Sequence, residues 1–524
     1  MVHMKKIWIF FFTVFAISQA MCDPLSWASP VTLSAASVDA SDPQIVIDSN
    51  GNATAAWVEN GVVKTSSQPV GGSWGTAGTL SGSGASNPRL TVDGSGNVTA
   101  VWIESTGVVT SADFLFGSSW GSSNAVSDVG ASNLEFAVDS ATGDVVAVWK
   151  RSGFIESATK LFGNPWGVVS ILSNGDEVDS PQIAVNGGMV AVVWHDRFEN
   201  LDLIAAITSV VGGSWNQVQL MATSLNSVKP MIAVDSNGTA LAIWYQFTLT
   251  GLNYSNVAVV ASSLPAGNTN WSPPVVISSL GKHNPADLTA RVAFDAAGNA
   301  IAIWSNVYNE DLFAIESAIL PLAGNWGTVV QLDANDLYGY TADVAVNSYG
   351  DAVAVYMSFN GESSIVIWNT ESNINGVTSN FWSVPVLISE GTQNAFPRVA
   401  SALTGTTVNA VSVWINNDGT NNLIHAATGS KTILLPPSSP NIVQNVHDFG
   451  VFKEYYNTVS WTASSDPNTI AYRIYKNGVA YTIVGASLTE LVDDNVVQNG
   501  PVTYGIASVD STNSISTVVS VSFP

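Results

Sequence analysis

One motif returns eight times along this chain of 524 residues, and it limits the possible folds more than any other feature. Its first copy reads Pro43-Gln44-Ile45-Val46-Ile47-Asp48-Ser49-Asn50-Gly51-Asn52-Ala53-Thr54-Ala55-Ala56-Trp57. The second runs from Pro88-Arg89-Leu90-Thr91-Val92-Asp93 through Gly96-Asn97 to Trp102. The aromatic position then recurs at Trp149, Trp194, Trp244, Trp304, Tyr356 and Trp414, at spacings of 45 to 60 residues. A period of that length marks an architecture in which no single unit can bury its apolar face alone.

Each copy reads as strands. Gln44 to Asp48 is a short β-branched run, Asn50-Gly51 a tight turn, and Asn52 to Glu59 alternates with period two, as a half-buried strand does. A third strand follows from Val62 to Ser67, then a Gly-Gly-Ser-Trp turn, then a fourth strand opening at Trp74. A second tryptophan position recurs at Trp120, Trp166, Trp215, Trp271, Trp326 and Trp382, but the eighth copy ends near Gly429-Ser430-Lys431 without one. The missing piece stands at the other end of the repeat region, where Trp27-Ala28-Ser29-Pro30-Val31-Thr32-Leu33-Ser34 matches Trp271-Ser272-Pro273-Pro274-Val275-Val276-Ile277-Ser278. The expected fold is therefore all-β: an eight-bladed β-propeller over residues 27–428 whose N-terminal strand closes the last blade and leaves no open edge. Two structural positions absorb fifteen of the eighteen tryptophans, leaving Trp8, Trp368 and Trp461, so their abundance is no argument for sugar stacking.

Charge narrows the function. Only 11% of residues are charged, against about a quarter in ordinary soluble proteins, and 40 acidic residues face 16 basic ones for a net charge of −24. Nucleic acid is excluded as a partner, since binding it requires a basic footprint. One cysteine excludes a disulfide framework and cysteine metal sites. Residues 1–20 read as a secretory signal peptide, with Lys5 and Lys6, an apolar run from Ile7 to Ile17 and Ser18-Gln19-Ala20 at the cleavage point. No later apolar stretch is long enough for a transmembrane helix. Met21 before Cys22 is a poor match to a lipid-anchor signal, so the chain reads as secreted or surface-exposed, and as a monomer. The Asp-Ser-Asn-Gly turns lack the closing Glu and spread of ligands of calcium loops and read as turn chemistry, with no metal and no cofactor.

Residues 429–440, which contain Pro436-Pro437-Ser438-Ser439-Pro440, have a linker's composition. Residues 441–524 resemble a fibronectin type III domain in Val459-Ser460-Trp461, in Tyr472-Arg473-Ile474-Tyr475-Lys476-Asn477-Gly478, and in the stretch from Val502 to Asp510. That resemblance implies a β-sandwich spacer or binding module without chemistry, with Tyr504 at the tyrosine-corner position.

The candidate site is a ring. Four residues before the strand-end Asp position the eight copies carry Gln44, Arg89, Glu135, Gln182, Met231, Arg291, Asp343 and Arg398, so three of only six arginines share one slot at the mouth of the central channel. Loops between the second and third strands open on the same face and are long in blades four to eight, where they carry His195, Asp196, Arg197, Phe198, Tyr245, Tyr254, Tyr308, Glu310 and Asp311. The candidate ligand-binding set is Arg89, Glu135, Arg291, Asp343, Arg398, Arg197, Tyr245 and Tyr308, suited to an anionic or hydroxylated protein or glycan ligand. The bland alternative pairs the arginines with Glu135 and Asp343 in a wet channel, at about 1 kcal/mol or less each. No catalytic residues are assigned.

A secreted propeller with three arginines is similar to the sialidases, in which an arginine triad holds the substrate carboxylate. Sialidase repeats, however, carry Ser-x-Asp-x-Gly-x-x-Trp, whereas here six residues take Gly51 to Trp57, and eight blades would set Arg89 and Arg291 across the channel from each other. The reading is a non-enzymatic interaction protein; the alternative is a polysaccharide-acting glycoside hydrolase whose paired carboxylates spacing alone cannot pick out. Mass spectrometry of the mature protein is expected to find cleavage after Ala20 and an unmodified Cys22.

Overall fold

The computed structural model describes residues 25–173, 177–198, 201–221, 225–251, 253–282, 284–285, 288–309, 312–322, 324–333, 339–359, 365–373, 382–391, 393–511, 515–516 and 518–523. Residues 1–20, expected as a leader, and Cys22 lie outside them. Every named element is a strand, and the chain divides into two compact units, Pro24–Ile433 and the C-terminal Leu434–Pro524. No helix among the described residues is long and apolar enough to cross a membrane.

The larger unit is built from small antiparallel sheets of one pattern, which fit blades. The first sheet runs Ala40–Ile47, Ala53–Glu59, Val62–Gln68 and Gly78–Thr79, each strand pairing with the next in sequence. Six further sheets repeat that order, beginning at Ser86, Ser132, Val178, Asn226, Ala290 and Gly339. The last repeat contributes Asn394–Thr404, Thr407–Asn417 and Asn422–Thr432, and its outer edge is supplied from the other end of the unit. Trp27 pairs there with Gly429, and Val31 with Ala426. First strands of consecutive sheets touch in order, and Ala40–Ile47 in turn touches Asn394–Thr404, so the stack is cyclic.

Packing explains the composition of the second strand. Ala53 to Val58 are all buried, as are Val98 to Ile103 and Leu241 to Tyr245. The alternation expected for a half-buried strand is thus corrected: each sheet has neighbours on both faces, so its inner strands are apolar on both. Each core cluster joins two consecutive sheets, as where Ile243 and Tyr245 meet Ala302 and Trp304. Seven tryptophans and Tyr356 fill the aromatic slot with 0% exposure. Three of the indole N–H groups find acceptors deep in the core, Trp304 on Glu316 at 2.7 Å, Trp149 on Glu156 at 2.9 Å and Trp414 on Asn394 at 2.9 Å, whereas those of Trp194 and Trp244 meet none among the described residues. The second tryptophan slot is half-buried throughout and staples modules together. Trp166 donates to Ser111, Trp382 to Ser317 and Trp27 to Asn369, each on the preceding module.

The repeated turns are Asx turns. Asp48 Oδ1 accepts from the backbone N–H of Asn50 at 2.9 Å and of Asn52 at 2.8 Å, and Asp93, Asp235 and Asp295 repeat the arrangement. Gly51 adopts φ 83°, and a Cβ there would lie 2.9 Å from Val70, so the turn needs glycine both for its conformation and for space.

Of the expected linker 429–440, residues 429–432 continue a strand of the larger unit and Ser438 opens one of the smaller, leaving only 433–437 between strands. Composition misleads here because Trp27 and Ser26 give the polar end of that strand a pairing partner. The C-terminal unit has a three-stranded sheet (Ser438–Asp448, Lys453–Thr462, Glu490–Val496) and a four-stranded one (Val479–Gly485, Ala471–Lys476, Val502–Val509, Val519–Phe523). Its core contains Trp461, Tyr472, Ile474 and Tyr504. The Tyr504 hydroxyl bonds the Asp493 carboxylate and accepts from Asn457. A tyrosine corner bonds backbone instead, so that expectation is corrected; a buried carboxylate outcompetes a carbonyl as acceptor.

One slot carries an irregular residue. At the start of the third strand a backbone N–H donates to a serine hydroxyl: Val63 to Ser81, Val109 to Ser127, Ile155 to Ser173, Val259 to Ser278, Ile367 to Ser389 and Ile424 to Ser34. In the sixth sheet the acceptor is Asp333, to which Ile315 donates at 3.0 Å. Burial pushes its carboxyl up to about 6 from 3.8. A raised carboxyl pKa means the folded state binds the extra proton, so stability falls as pH rises from about 4 through about 6. Asp333→Ser is expected to stabilise the protein at pH 8 by about 2 kcal/mol more than at pH 4, measured by urea melts at both pH values.

Candidate functional site

The eight ring residues occupy one register position. Each lies in the first strand of its sheet, opposite the residue just before the slot aromatic: Arg89 faces Val101, Glu135 faces Val148, Arg291 faces Ile303, Asp343 faces Val355 and Arg398 faces Val413. Gln44, Gln182 and Met231 hold the same place opposite Ala56, Val193 and Ile243. First strands of neighbouring sheets touch, so this position is a circle of side chains at the middle of the unit.

Charge pairs form between neighbours in that circle. Arg89 grips Glu135 with both ends of its guanidinium, Nη2 to Oε1 at 2.7 Å and Nε to Oε2 at 2.9 Å. Burial works against the Arg89 charge, but the attraction of Glu135 and its hydrogen bonds outweigh it and raise the pKa. Arg291 Nε donates to Asp343 Oδ1 at 3.1 Å, and its Nη1 reaches the Ala290 carbonyl at 2.9 Å and the Met231 sulfur at 3.7 Å. The second Asp343 oxygen accepts from the Val399 N–H at 3.1 Å. These side chains are 13–25% exposed, so each pair contributes about 1 kcal/mol or less.

Arg398 differs from its two counterparts. Among the described residues it makes no ion pair; its Nη1 meets only the carbonyl of Pro397 at 3.4 Å. Its guanidinium pKa is lowered to about 10, first by burial and then by the charges of Arg291 and Arg89, with Asp343 and Glu135 opposing. The mutual influence shows that Arg398, two modules from each of the others, shares one electrostatic site with Arg89, Arg291, Glu135 and Asp343. Placing Arg89 and Arg291 in opposite quarters of the ring does not isolate the arginines, because Arg398 feels both. The circle therefore holds three positive and two negative groups, and one positive charge is left without an ion pair.

The second set of candidates fares differently. The long loops expected between the second and third strands are extended hairpins: Met189–Phe198 pairs with Leu201–Val210 out to Phe198 opposite Leu201, and Ala240–Thr250 with Asn253–Leu264 out to Thr250 opposite Asn253. Ladder pairing continues through His195, Asp196 and Arg197, opposite Ile204, Leu203 and Asp202, so these three belong to a strand. Arg197 is half-exposed and reaches Glu177 at 3.7 Å and Asp202 at 4.0 Å, while His195 Nε2 bonds Asp202 at 3.0 Å. Tyr254 packs on Phe247. Tyr245 is no ligand group: it is 1% exposed, and its hydroxyl proton is shared between the carbonyls of Thr289 at 2.7 Å and Ser305 at 2.8 Å in the next module. Its burial follows from the double-sided packing that a sequence pattern does not display. Tyr308 lies in the strand Ala300–Asn309, but its side chain, like Phe198's, is outside the described set, as are Glu310 and Asp311 altogether.

Two features escape the sequence reading. The first is a cleft of about 640 Å³ where the cyclic stack closes, bounded by Trp27, Trp74, Gln68 and Thr428. The second is a β-bulge just upstream of the ring position, with left-handed backbone at Asp42, Asn87, Asn133, Ser180, Lys229 and Phe396, two residues before Gln44, Arg89, Glu135, Gln182, Met231 and Arg398. Asn and Asp at two-residue offset were the available signal, diluted by Ser, Lys and Phe.

No protein-family model matches the chain, and no curated protein matches its sequence. Among solved structures, the BP39L lectin from Burkholderia pseudomallei superposes with a TM-score of 0.50 at 15% identity, covering 68% of this chain and 100% of that one. An α-L-arabinanase from Penicillium chrysogenum reaches a TM-score of 0.38 at 12% identity over 67% of this chain and 99% of its own. A fucose-specific lectin from Aleuria aurantia reaches 0.34 at 12% over 57% and 97%. The first likeness shows the fold, which is β-propeller-like. As a check on the burial of Tyr245, Tyr245→Phe is expected to cost about 1–3 kcal/mol in urea unfolding, because the hydroxyl proton shared by the Ser305 and Thr289 carbonyls is lost, although Thr289 keeps the Ser305 N–H at 2.9 Å.

Proposed function

We propose that this protein is a secreted, non-enzymatic binding protein, an eight-bladed propeller of residues 27–428 with a fibronectin type III-like domain at 441–524, which takes a glycan on the face bearing the charged ring. The observation that carries this reading is the ring itself: five charged side chains from five modules converge on rigid inner strands with one guanidinium left unpaired. Groups fixed on paired strands lose little entropy when a ligand arrives. A glycan suits the surroundings, since the surface is sparsely charged and rich in hydroxyl and amide groups. The propeller-like fold shared with a lectin adds to that reading, as the leader sequence does to secretion.

Binding is favoured over hydrolysis by how the ring carboxylates are used. A glycosidase needs two carboxyl groups free to donate and accept protons across the scissile bond. Here both oxygens of Glu135 are engaged by Arg89, and those of Asp343 by Arg291 and the Val399 N–H. A glycan array probed with the mature protein, alongside a panel of chromogenic glycosides, tests the proposal. Binding without turnover is expected, and Arg89→Gln, Arg291→Gln and Arg398→Gln together should weaken binding at least tenfold with the fold intact by circular dichroism. Turnover of any glycoside would replace this reading by a hydrolase.

A further inference from the structure

Within the repeated bulge, the eighth module departs from the pattern. At the other left-handed positions the side chains are polar, and three of them reach the next module: Asn87 donates to the Leu134 carbonyl, Lys229 to that of Leu288, and Asn133 bonds Asp179. These residues tolerate or exploit the conformation. The eighth carries Phe396 at φ 50°, where Cβ crowds the backbone as at any non-glycine residue but the side chain has no polar group to offset it with a hydrogen bond. Phe396 is 56% exposed, so burial does little to repay that strain. Strained backbone persists where function retains it.

Two residues further on stands Arg398, the ring arginine without an ion pair. Every nearby carboxylate oxygen is occupied: Glu135 by Arg89, and Asp343 by Arg291 and Val399 N–H. The exposed Asp42 acts on Arg89. Among the described residues Arg398 has only the carbonyl of the adjacent Pro397. A half-buried guanidinium such as that of Arg398 presents a planar fork that a carboxylate fills with two parallel hydrogen bonds.

We infer that Phe396 and Arg398 together form a subsite for one carboxylate-bearing sugar residue, a hexuronate within a larger glycan. The guanidinium takes the carboxylate, and the exposed phenyl ring lies against the C–H face of the pyranose. Apolar face and anion are needed together: free phosphate or sulfate would use Arg398 and leave Phe396 without a purpose. The inference rests on the glycan reading above and specifies its ligand class.

Titration calorimetry on the mature full-length protein tests it with matched pairs of oligosaccharides, trigalacturonate against galactotriose and a glucuronate trimer against its glucose counterpart, with triglutamate as a peptide control. At least one acidic sugar should bind tenfold or more tighter than its neutral match. Arg398→Gln should reduce that preference to within twofold, and Phe396→Asn should weaken the acidic sugar tenfold while leaving the thermal midpoint unchanged or raised, because Asn accepts the left-handed backbone. A thermal midpoint lowered by Phe396→Asn would identify Phe396 as a packing residue and overturn the subsite. Equal binding of acidic and neutral sugars, or a preference that survives Arg398→Gln, would overturn the subsite and leave the glycan reading standing. Binding of triglutamate with no sugar bound would overturn both.

Discussion

Everything in the larger unit depends on face-to-face burial between consecutive sheets. A four-stranded sheet of this size has two apolar faces and too little chain to cover either, so each must lie between two others. The slot aromatics are the largest side chains in those contacts, and removing one would cost about 3–5 kcal/mol. Their indole nitrogens bring a second requirement, since a buried donor without an acceptor costs about 1–3 kcal/mol. Glu156 and Glu316 meet it from inside the core for Trp149 and Trp304, while Trp194 and Trp244 have no acceptor among the described residues. Cyclic order follows because an open stack would leave two faces bare, and the pairing of Trp27 and Val31 with the last repeat closes the gap.

The charged ring is a by-product of that order. Once first strands stand side by side around the centre, any residue at one register position meets its counterparts from other modules. Arg89, Glu135, Arg291, Asp343 and Arg398 become one electrostatic system although about 310 residues separate the first from the last. Two of the arginines are neutralised by the acidic residue of the following module, and the third is not. The difference lies in the sequence only as an arrangement around a circle: Arg89 and Arg291 have acidic neighbours at Glu135 and Asp343, whereas the module after Arg398 is the first, which carries Gln44.

Much of the architecture was legible because repetition averages out local ambiguity. Turn residues, strand lengths and both tryptophan slots recur often enough to be recognised without a partner sequence. The errors cluster where one residue serves two neighbours at once. Ala53 to Val58 read as alternating and are buried on both faces; Tyr245 read as a loop tyrosine and bridges two modules through Thr289 and Ser305. The hairpins of the later modules read as long loops because the eye stops a strand at the first polar residue, whereas ladder pairing continues through His195 and Arg197 to Phe198.

The sequence by itself determined the repeat, its glycine and Asx turns and the register position that gathers the arginines, because these are set by local chemistry copied eight times. It also set the excess of arginine over acid at that position, since composition is additive. Only the tertiary structure decided which arginine is left without an ion pair, which tyrosine is buried and where strain sits. Those outcomes depend on contacts between modules, and on a bulge that re-aims the first strand just before the ring. At Phe396 the bulge puts an exposed aromatic into left-handed backbone two residues before an arginine that has no ion pair among the described residues.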